Sequence, residues 1–161
     1  MLYVVAWPTL GEADDAALRR LRAQYHRDEA GLIGPHFTLV FDAPPERECE
    51  LREALARVMR RRFWFMIDRI ARVDHHLYAE PSDGAAELRE LYAALNPARH
   101  REEKFEPHIT LGMFNTAIEA ERVARIVERQ HLPMRGRIEE LALLRRKGDL
   151  LDRLATVKLN A

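Results

Sequence analysis

The chain repeats one short segment: Pro35-His36-Phe37-Thr38-Leu39 returns almost unchanged as Pro107-His108-Ile109-Thr110-Leu111. Side chains two positions apart point to the same side of a β-strand. Each copy therefore predicts a strand that presents an imidazole and a hydroxyl on one face. Proline is tolerated at the first position of a strand, which places both histidines at strand starts. Because the two histidines are 72 positions apart, the pattern indicates two copies of one structural unit.

The apolar spacing around the motifs supports this duplication. Each half follows the order helix, motif strand, helix and hairpin, and no low-complexity linker separates the halves. We therefore predict an α+β fold: a duplicated bilobal structure with two antiparallel β-sheets, helices on the outer faces and a central cleft. Residues 1–161 are expected to form a single bilobal domain with pseudo-repeats at about 1–81 and 82–161.

Strand alternation assigns each motif side chain to a face. The face predicted to line the cleft carries His36, Thr38 and Val40 in the first copy and His108, Thr110 and Gly112 in the second. The face predicted to pack against helices carries Phe37, Leu39 and Phe41, and then Ile109, Leu111 and Met113. A shift of one residue would exchange the faces. Because glycine lacks a side chain, Gly112 is expected to let a ligand approach the backbone closely.

Composition excludes several classes of function. The chain has 26 Lys+Arg and 26 Asp+Glu residues and a pI near 7.1, whereas modules that grip long nucleic acid are usually markedly basic. We therefore expect no long duplex as a partner. Cys49 is the only cysteine, which excludes an internal disulfide and a thiolate-rich metal site. No apolar run approaches the ~20 residues of a membrane span, and the N-terminus lacks a signal-peptide pattern. We expect a cytoplasmic monomer with no membrane partner.

Two histidines and two threonines in one cleft predict acid–base chemistry on a phosphodiester. Histidine titrates near neutral pH, so one imidazole can deprotonate an attacking water or alcohol while its twin protonates the departing oxygen. The hydroxyls of Thr38 and Thr110 can donate hydrogen bonds to the non-bridging phosphoryl oxygens. This set of groups requires neither a metal nor another cofactor.

Aromatic residues near the predicted cleft are candidates for stacking on a nucleobase. They are Tyr3 and Trp7 on the first strand, Tyr78 on a strand that also carries His76, and Phe114 after the second motif. A base stacked on an aromatic ring contributes roughly 1–3 kcal/mol. Each of these rings could instead pack in the core or at the rim, and the sequence leaves that choice open.

Three basic clusters are candidate contacts for a phosphate tail. They are Arg60-Arg61-Arg62, Arg99-His100-Arg101 and Arg145-Arg146-Lys147. Acidic neighbours such as Glu102 and Glu139 dilute them, so a solvated surface is the simpler interpretation.

The duplicated motif and the order of elements across nearly the whole chain resemble the 2H phosphoesterase superfamily, in its 2′-5′ RNA ligase-like branch. The resemblance implies a bilobal duplication with a central cleft. It also implies 2′,3′-cyclic phosphodiesterase activity, or reversible joining of RNA ends through a 2′-5′ bond, without a metal. It assigns catalysis to His36 and His108 and phosphate binding to Thr38 and Thr110. Ligase-type members often carry an arginine where this chain has Met113, so that cationic contact is missing here or supplied elsewhere.

The sequence leaves three functions open. The first is a metal-independent enzyme that opens a 2′,3′-cyclic phosphate on a small nucleotide or RNA terminus, with reversible 2′-5′ ligation as a further activity. The second is a catalytically inactive module that binds a nucleotide or RNA end. The third is a metal hydrolase with histidine ligands. The sequence offers few carboxylates beside either motif that could complete such a metal site.

Overall fold

The computed structural model describes residues 1–98 and 104–161, so the basic cluster Arg99-His100-Arg101 lies outside the described residues. Within these residues, seven β-strands form the sheet: β1 (Leu2–Leu10), β2 (Phe37–Ala43), β3 (Phe63–Val73), β4 (His76–Asp83), β5 (Ile109–Met113), β6 (Met134–Lys147) and β7 (Leu150–Lys158). The helices are α1 (Glu12–Tyr25), α2 (Arg27–Leu32), α3 (Glu48–Ala56), α4 (Ala85–Leu95) and α5 (Ala117–Gln130), with a 3-10 turn at Pro45–Arg47.

The seven strands form one antiparallel sheet in the order β2-β1-β6-β3-β4-β5, and β7 pairs with β6. Strand β6 has 14 residues and joins the two sides of the sheet. One of its edges pairs with β1, whereas the other pairs first with β3 and then with β7. The predicted α+β class with antiparallel strands is confirmed. The two predicted sheets are continuous, because β6 is long enough to belong to both.

Strand pairing defines a repeat of five main elements. The first unit is β1, α1, β2, α3 and β3, and the second is β4, α4, β5, α5 and β6. In each unit the first strand pairs with the motif strand, β1 with β2 and β4 with β5. The units meet at the turn between β3 and β4, where Asp74 has a φ of 51°. Strand β4 therefore begins the second unit, whereas the sequence pattern assigns it to the end of the first.

The first helix of each unit covers the motif strand of the other unit. Helix α1 packs against β5, and α4 packs against β2. The leucines that α1 and α4 direct inward, including Leu18 and Leu88, are fully buried in one shared core. Each motif strand is thus held between a strand of its own unit and a helix of the other.

Motif strand β2 contains one extra residue directly after its threonine. Thr38 pairs with Val5 and Val40 pairs with Val4, so Leu39 has no partner on β1. A β-bulge of this kind breaks the strict alternation of side chains beyond it. Val40 is consequently buried, and Phe41 is 70% exposed.

Motif strand β5 has its extra residue at the corresponding position. Thr110 pairs with Tyr78 and Gly112 pairs with Leu77, which leaves Leu111 as the bulged residue. The predicted faces are therefore correct up to Leu39 and Leu111, which are buried in the core, and wrong for the residues that follow them. The cleft face does not include Val40 or Gly112, because one residue is inserted before each.

The Gly112 backbone lies against helix α1 and not against the cleft. A Cβ atom at this position would lie 2.5 Å from Tyr25 Cβ and 2.8 Å from the Tyr25 carbonyl oxygen. The missing side chain lets α1 approach β5, so the predicted role of Gly112 in ligand approach is wrong.

Strand β5 begins at Ile109, so Phe105 and Pro107 lie before it. Pro107 cannot donate a ladder hydrogen bond. Phe105 instead stacks on Tyr92 of α4, with ring centroids 4.2 Å apart and planes at 4°.

None of the helices in residues 1–98 and 104–161 has the length and apolar character needed to span a bilayer.

We predict that Gly112→Ala lowers the free energy of unfolding by about 1–3 kcal/mol, because α1 must shift to accommodate the new methyl group. Urea unfolding would measure the loss. Gly31→Ala is the matched control, since a Cβ there meets nothing within 4 Å and the position lies in helix α2. Equal stability of the two variants would contradict the packing described for Gly112.

Candidate active site

One cavity of about 800 Å³ brings the two motifs together. Its lining includes His36 and Thr38 from the first motif and His108 and Thr110 from the second. Each histidine lies one residue before its strand begins, next to the strand start at which the sequence places it. The four motif side chains that the sequence places on the cleft face therefore share a single cavity.

Both imidazoles are fixed by the same backbone hydrogen bond. His36 Nδ1 lies 2.8 Å from the Gly34 carbonyl oxygen, and His108 Nδ1 lies 2.8 Å from the Glu106 carbonyl oxygen. A carbonyl only accepts, so Nδ1 carries the proton in both rings, and Nε2 is the nitrogen that a ligand can use. The proline between each histidine and its carbonyl fixes φ, which limits how carbonyl and ring can be arranged. The proline of each motif thus helps to hold the histidine ring against the carbonyl.

Burial lowers the pKa of His36 from 6.5 to about 4. The hydrogen bond to the Gly34 carbonyl opposes this shift, and the positive charge of Arg22 adds to it. Desolvation disfavours the imidazolium, so the free protein holds His36 as a neutral ring at neutral pH.

Burial also lowers the pKa of His108, but two groups oppose the shift. They are the Glu106 carbonyl, which accepts the hydrogen bond, and the carboxylate of Glu80. Tyr78 stacks on the His108 ring, with centroids 4.1 Å apart and planes at 30°. The surroundings of His108 thus combine an aromatic face with a nearby negative charge.

The asymmetry between the two histidines has a simple origin in the sheet. Val5 pairs with the first threonine, whereas Tyr78 pairs with the second. Two positions further along these strands, Trp7 stands where Glu80 stands in the other unit. The Trp7 ring meets the His36 ring edge-on, with centroids 6.1 Å apart. Equivalent positions therefore give one histidine an indole neighbour and the other a carboxylate.

The two threonines present available hydroxyls. Both Thr38 and Thr110 are half-buried and line the cavity. Among the residues that the structure describes, neither hydroxyl has a hydrogen-bond partner. Each can therefore donate to a bound ligand.

The structure divides the other predicted site residues into two groups. Tyr3, His76 and Tyr78 line the cavity, and the His76 and Tyr78 rings stack with centroids 5.8 Å apart. Trp7, Gly112 and Phe114 do not line it. Phe114 is buried against Tyr25, with ring centroids 4.9 Å apart, so it packs in the core, which is one of the two interpretations that the sequence leaves open. Trp7 reaches the site only through its contact with His36.

Several cavity residues escape prediction from the sequence, and Phe41, Arg22 and Asn96 are three of them. Phe41 lies at the cavity and contacts Tyr3 edge-on, with centroids 5.5 Å apart. Arg22 of α1 lines the cavity although it is only 1% exposed. Asn96, at the end of α4, donates from Nδ2 to the carbonyl oxygen of the bulged Leu39 at 2.9 Å. These residues reach the motifs because of the two β-bulges and because α1 and α4 each pack on the motif strand of the other unit. Strand alternation predicts neither feature.

Within residues 1–98 and 104–161, no group of three or more His, Cys, Asp or Glu side chains is arranged to hold a metal ion.

Comparison with known families agrees with the duplicated motif and the shared cavity. The family described as the 2′-5′ RNA ligase superfamily matches residues 10–150. The chain therefore belongs to this superfamily, which confirms the resemblance to the 2H phosphoesterases. None of the curated proteins matches the sequence significantly.

Solved structures show the same fold. Escherichia coli LigT complexed with ATP superposes with a TM-score of 0.67 at 17% identity, covering 99% of this chain and 98% of that one. LigT complexed with 3′-AMP gives a TM-score of 0.66 at 18% identity, with coverage of 99% and 98%. A structure described as a phosphoesterase gives 0.61 at 18% identity, again covering 99% and 98%. At these identities the similarity establishes the fold alone.

We predict that stability falls as the pH is lowered, through His36. Its pKa of about 4 in the folded protein lies below the ordinary 6.5, so the unfolded state binds more protons between these values. The free energy of unfolding must then decrease as the pH falls through this range. Urea unfolding across the range would measure the decrease, and His36→Gln should reduce it.

His75→Gln is the matched control, because His75 is exposed and does not line the cavity. This variant should keep the pH dependence of the wild type. An NMR titration in which the His36 ring protonates near 6.5 would contradict the prediction.

Proposed function

We propose that this protein is a metal-independent phosphodiesterase that opens a 2′,3′-cyclic phosphate on a nucleotide or a short RNA end. One observation carries the proposal: two imidazoles with the same fixed tautomer and two available hydroxyls line one cavity. Membership of the 2′-5′ RNA ligase superfamily supports it. The comparisons by themselves establish the superfamily and not the reaction.

The two imidazoles divide the proton transfers. One Nε2 accepts a proton from water as the water oxygen attacks phosphorus. The bond from phosphorus to one ribose oxygen breaks, and the other imidazole gives its proton to that oxygen. Water supplies both the hydroxyl that stays on phosphorus and the proton that the catalyst regains. The reaction therefore balances without a further reactant.

The threonines bind the phosphoryl group. Negative charge increases on the non-bridging oxygens as the new bond forms, and donors placed there in advance stabilise it. Thr38 and Thr110 are suited to this role because their hydroxyls lack other partners within the described chain. They also lie two residues from the histidines, on the same side of each strand.

A nucleotide ligand is favoured by aromatic residues at the cavity. Phe41 is 70% exposed, and its ring contacts that of Tyr3. An exposed ring at a cavity can stack on a nucleobase. LigT has been solved with 3′-AMP and with phosphate, which supports a small phosphorylated ligand here. The balanced charge of the chain favours a short ligand over a long duplex.

Ligation of RNA ends through a 2′-5′ bond would be the parallel transfer, in which a ribose hydroxyl replaces water as the group that attacks the cyclic phosphate and the same ribose oxygen leaves. Met113, at the position of the ligase-type arginine, is 61% exposed and does not line the cavity. We therefore propose hydrolysis as the main activity. Cleavage of a 2′-5′-linked dinucleotide to a cyclic phosphate and a free hydroxyl would measure the reversal of ligation.

We predict that His36→Ala and His108→Ala each lower kcat for a 2′,3′-cyclic nucleotide by roughly 10²–10⁴-fold, because each removes one proton transfer. Turnover would be measured in EDTA by chromatography of the products. The double variant should be about as slow as either single one, since the two groups act together.

His75→Ala is the control, because it removes an exposed imidazole outside the cavity. Full activity in either motif variant would refute the two-histidine mechanism. Tight nucleotide binding without any turnover by the wild type would favour the inactive binding module instead, and inhibition by EDTA would favour metal catalysis.

We predict that Phe41→Ala raises KM for a cyclic nucleotide about 5- to 100-fold with little effect on kcat, because a stacked base contributes roughly 1–3 kcal/mol. Met113→Ala is the matched control, since it truncates the residue at the corresponding place on β5, which is exposed but outside the cavity. A cyclic phosphate without a base should react equally with both variants. An unchanged KM in Phe41→Ala would rule out stacking at this ring.

A further inference from the structure

Arg22 is a buried cation at the active-site cavity. It belongs to helix α1, is 1% exposed and contributes to the cavity lining. Its Nη1 donates to the Thr110 carbonyl oxygen at 2.5 Å, and its Nη2 donates to the Ile33 carbonyl oxygen at 3.1 Å. Ile33 lies three residues before His36. One guanidinium therefore contacts the second motif strand and the segment that leads into the first. The Arg22 Nε is buried and has no hydrogen-bond partner in the described part of the chain.

No carboxylate neutralises this charge by contact. Among residues 1–98 and 104–161, every ion pair involves other basic side chains. Glu29 contributes a favourable charge, but its carboxylate binds Arg146 at 2.6 Å. Burial of a cation without a counter-ion is costly, and buried charges in proteins are normally paired. The cavity beside Arg22 is where an anion could complete the pair.

The second unit has no such charge at the equivalent position. Arg22 lies four residues before the C-cap of α1, and Tyr92 lies four residues before the C-cap of α4. Both line the cavity. The duplication therefore provides one buried guanidinium for two motifs, which matches one phosphoryl group held between them.

We propose that Arg22 supplies the positive charge that draws a phosphoryl anion into the cavity. The inference rests on the proposed function and deepens it. It names the cation that the motif strand lacks at Met113, and it assigns that cation to a helix from the other unit. Arg22 acts as a fixed charge behind the motifs, while the hydroxyls of Thr38 and Thr110 provide the direct hydrogen bonds. Its carbonyl contacts keep the guanidinium in place when no ligand is bound.

The test compares the binding of inorganic phosphate to three proteins by calorimetry: wild type, Arg22→Gln and Arg22→Lys. Arg22→Gln should weaken binding about 10-fold or more, since a buried charge is lost. Arg22→Lys keeps the charge but loses the two-pronged contact with the carbonyls, so it should recover only part of the binding that Arg22→Gln loses. Arg20→Gln is the matched control, because Arg20 is exposed on the same helix and its substitution removes an equal charge. It should bind phosphate as the wild type does.

Circular dichroism shows whether each variant is folded. Unchanged phosphate binding in folded Arg22→Gln would overturn the proposal, and so would an equal loss in folded Arg22→Lys, which would indicate a purely structural brace. The wild type provides a second measurement that needs no variant to fold. The NMR signal of the Arg22 Nε–H group should shift as phosphate is added, with the same saturation as the Thr110 amide, and no shift would overturn the proposal.

The phosphate-binding test of Arg22 and the turnover test of the proposed function can fail independently. Absence of cyclic phosphate turnover by the wild type would defeat the hydrolase but leave the phosphate titration intact. Turnover that depends on both histidines, together with phosphate binding that ignores Arg22, would defeat only the inference about Arg22.

Discussion

The extra residue after each motif threonine determines which side chains reach the cavity. Up to Thr38 and Thr110, alternation puts imidazole and hydroxyl on the cavity side. The bulge at Leu39 or Leu111 then shifts the register by one. The strand consequently returns an apolar residue or a glycine to the core, where a helix packs closely. Without that insertion, Val40 and Gly112 would face the cavity, and the helices would meet Phe41 and Met113 instead.

The bulges also explain where prediction from the sequence succeeds. The repeated motif predicts that both histidines and both threonines face the cavity, and it predicts the α+β class. These features depend on local spacing. Alternation fails from Val40 onward, since an inserted residue leaves no mark in a pattern of period two. Helix α2 is similarly hidden, because Gly31 within it is typical of a turn. Arg22 is beyond the reach of pattern reasoning, because its contact with Thr110 spans 88 positions and depends on how α1 crosses to β5.

The two motifs are similar, but their surroundings are not. The hydrogen bonds from Nδ1 are the same, so both rings have the same tautomer. The neighbouring strand differs, with Trp7 near His36 and Glu80 near His108. Burial lowers the pKa of both histidines, and a carboxylate opposes the shift in each case, Glu29 for His36 and Glu80 for His108. The positive charge of Arg22 lowers the pKa of His36 further, so two similar backbones hold the two imidazoles in different electrostatic surroundings.

The crossing of α1 and α4 bears on how such a chain could arise. A lone unit would leave its motif strand without a helical cover and its first strand with an unpaired edge, since β1 pairs with β6 and β4 pairs with β3. Two identical copies could satisfy both needs by exchanging helices and end strands, as domain-swapped dimers do. Gene fusion would then preserve the exchanged partners within one polypeptide. After such a fusion the copies could diverge, and a single arginine on one helix could then serve two formerly equivalent sites.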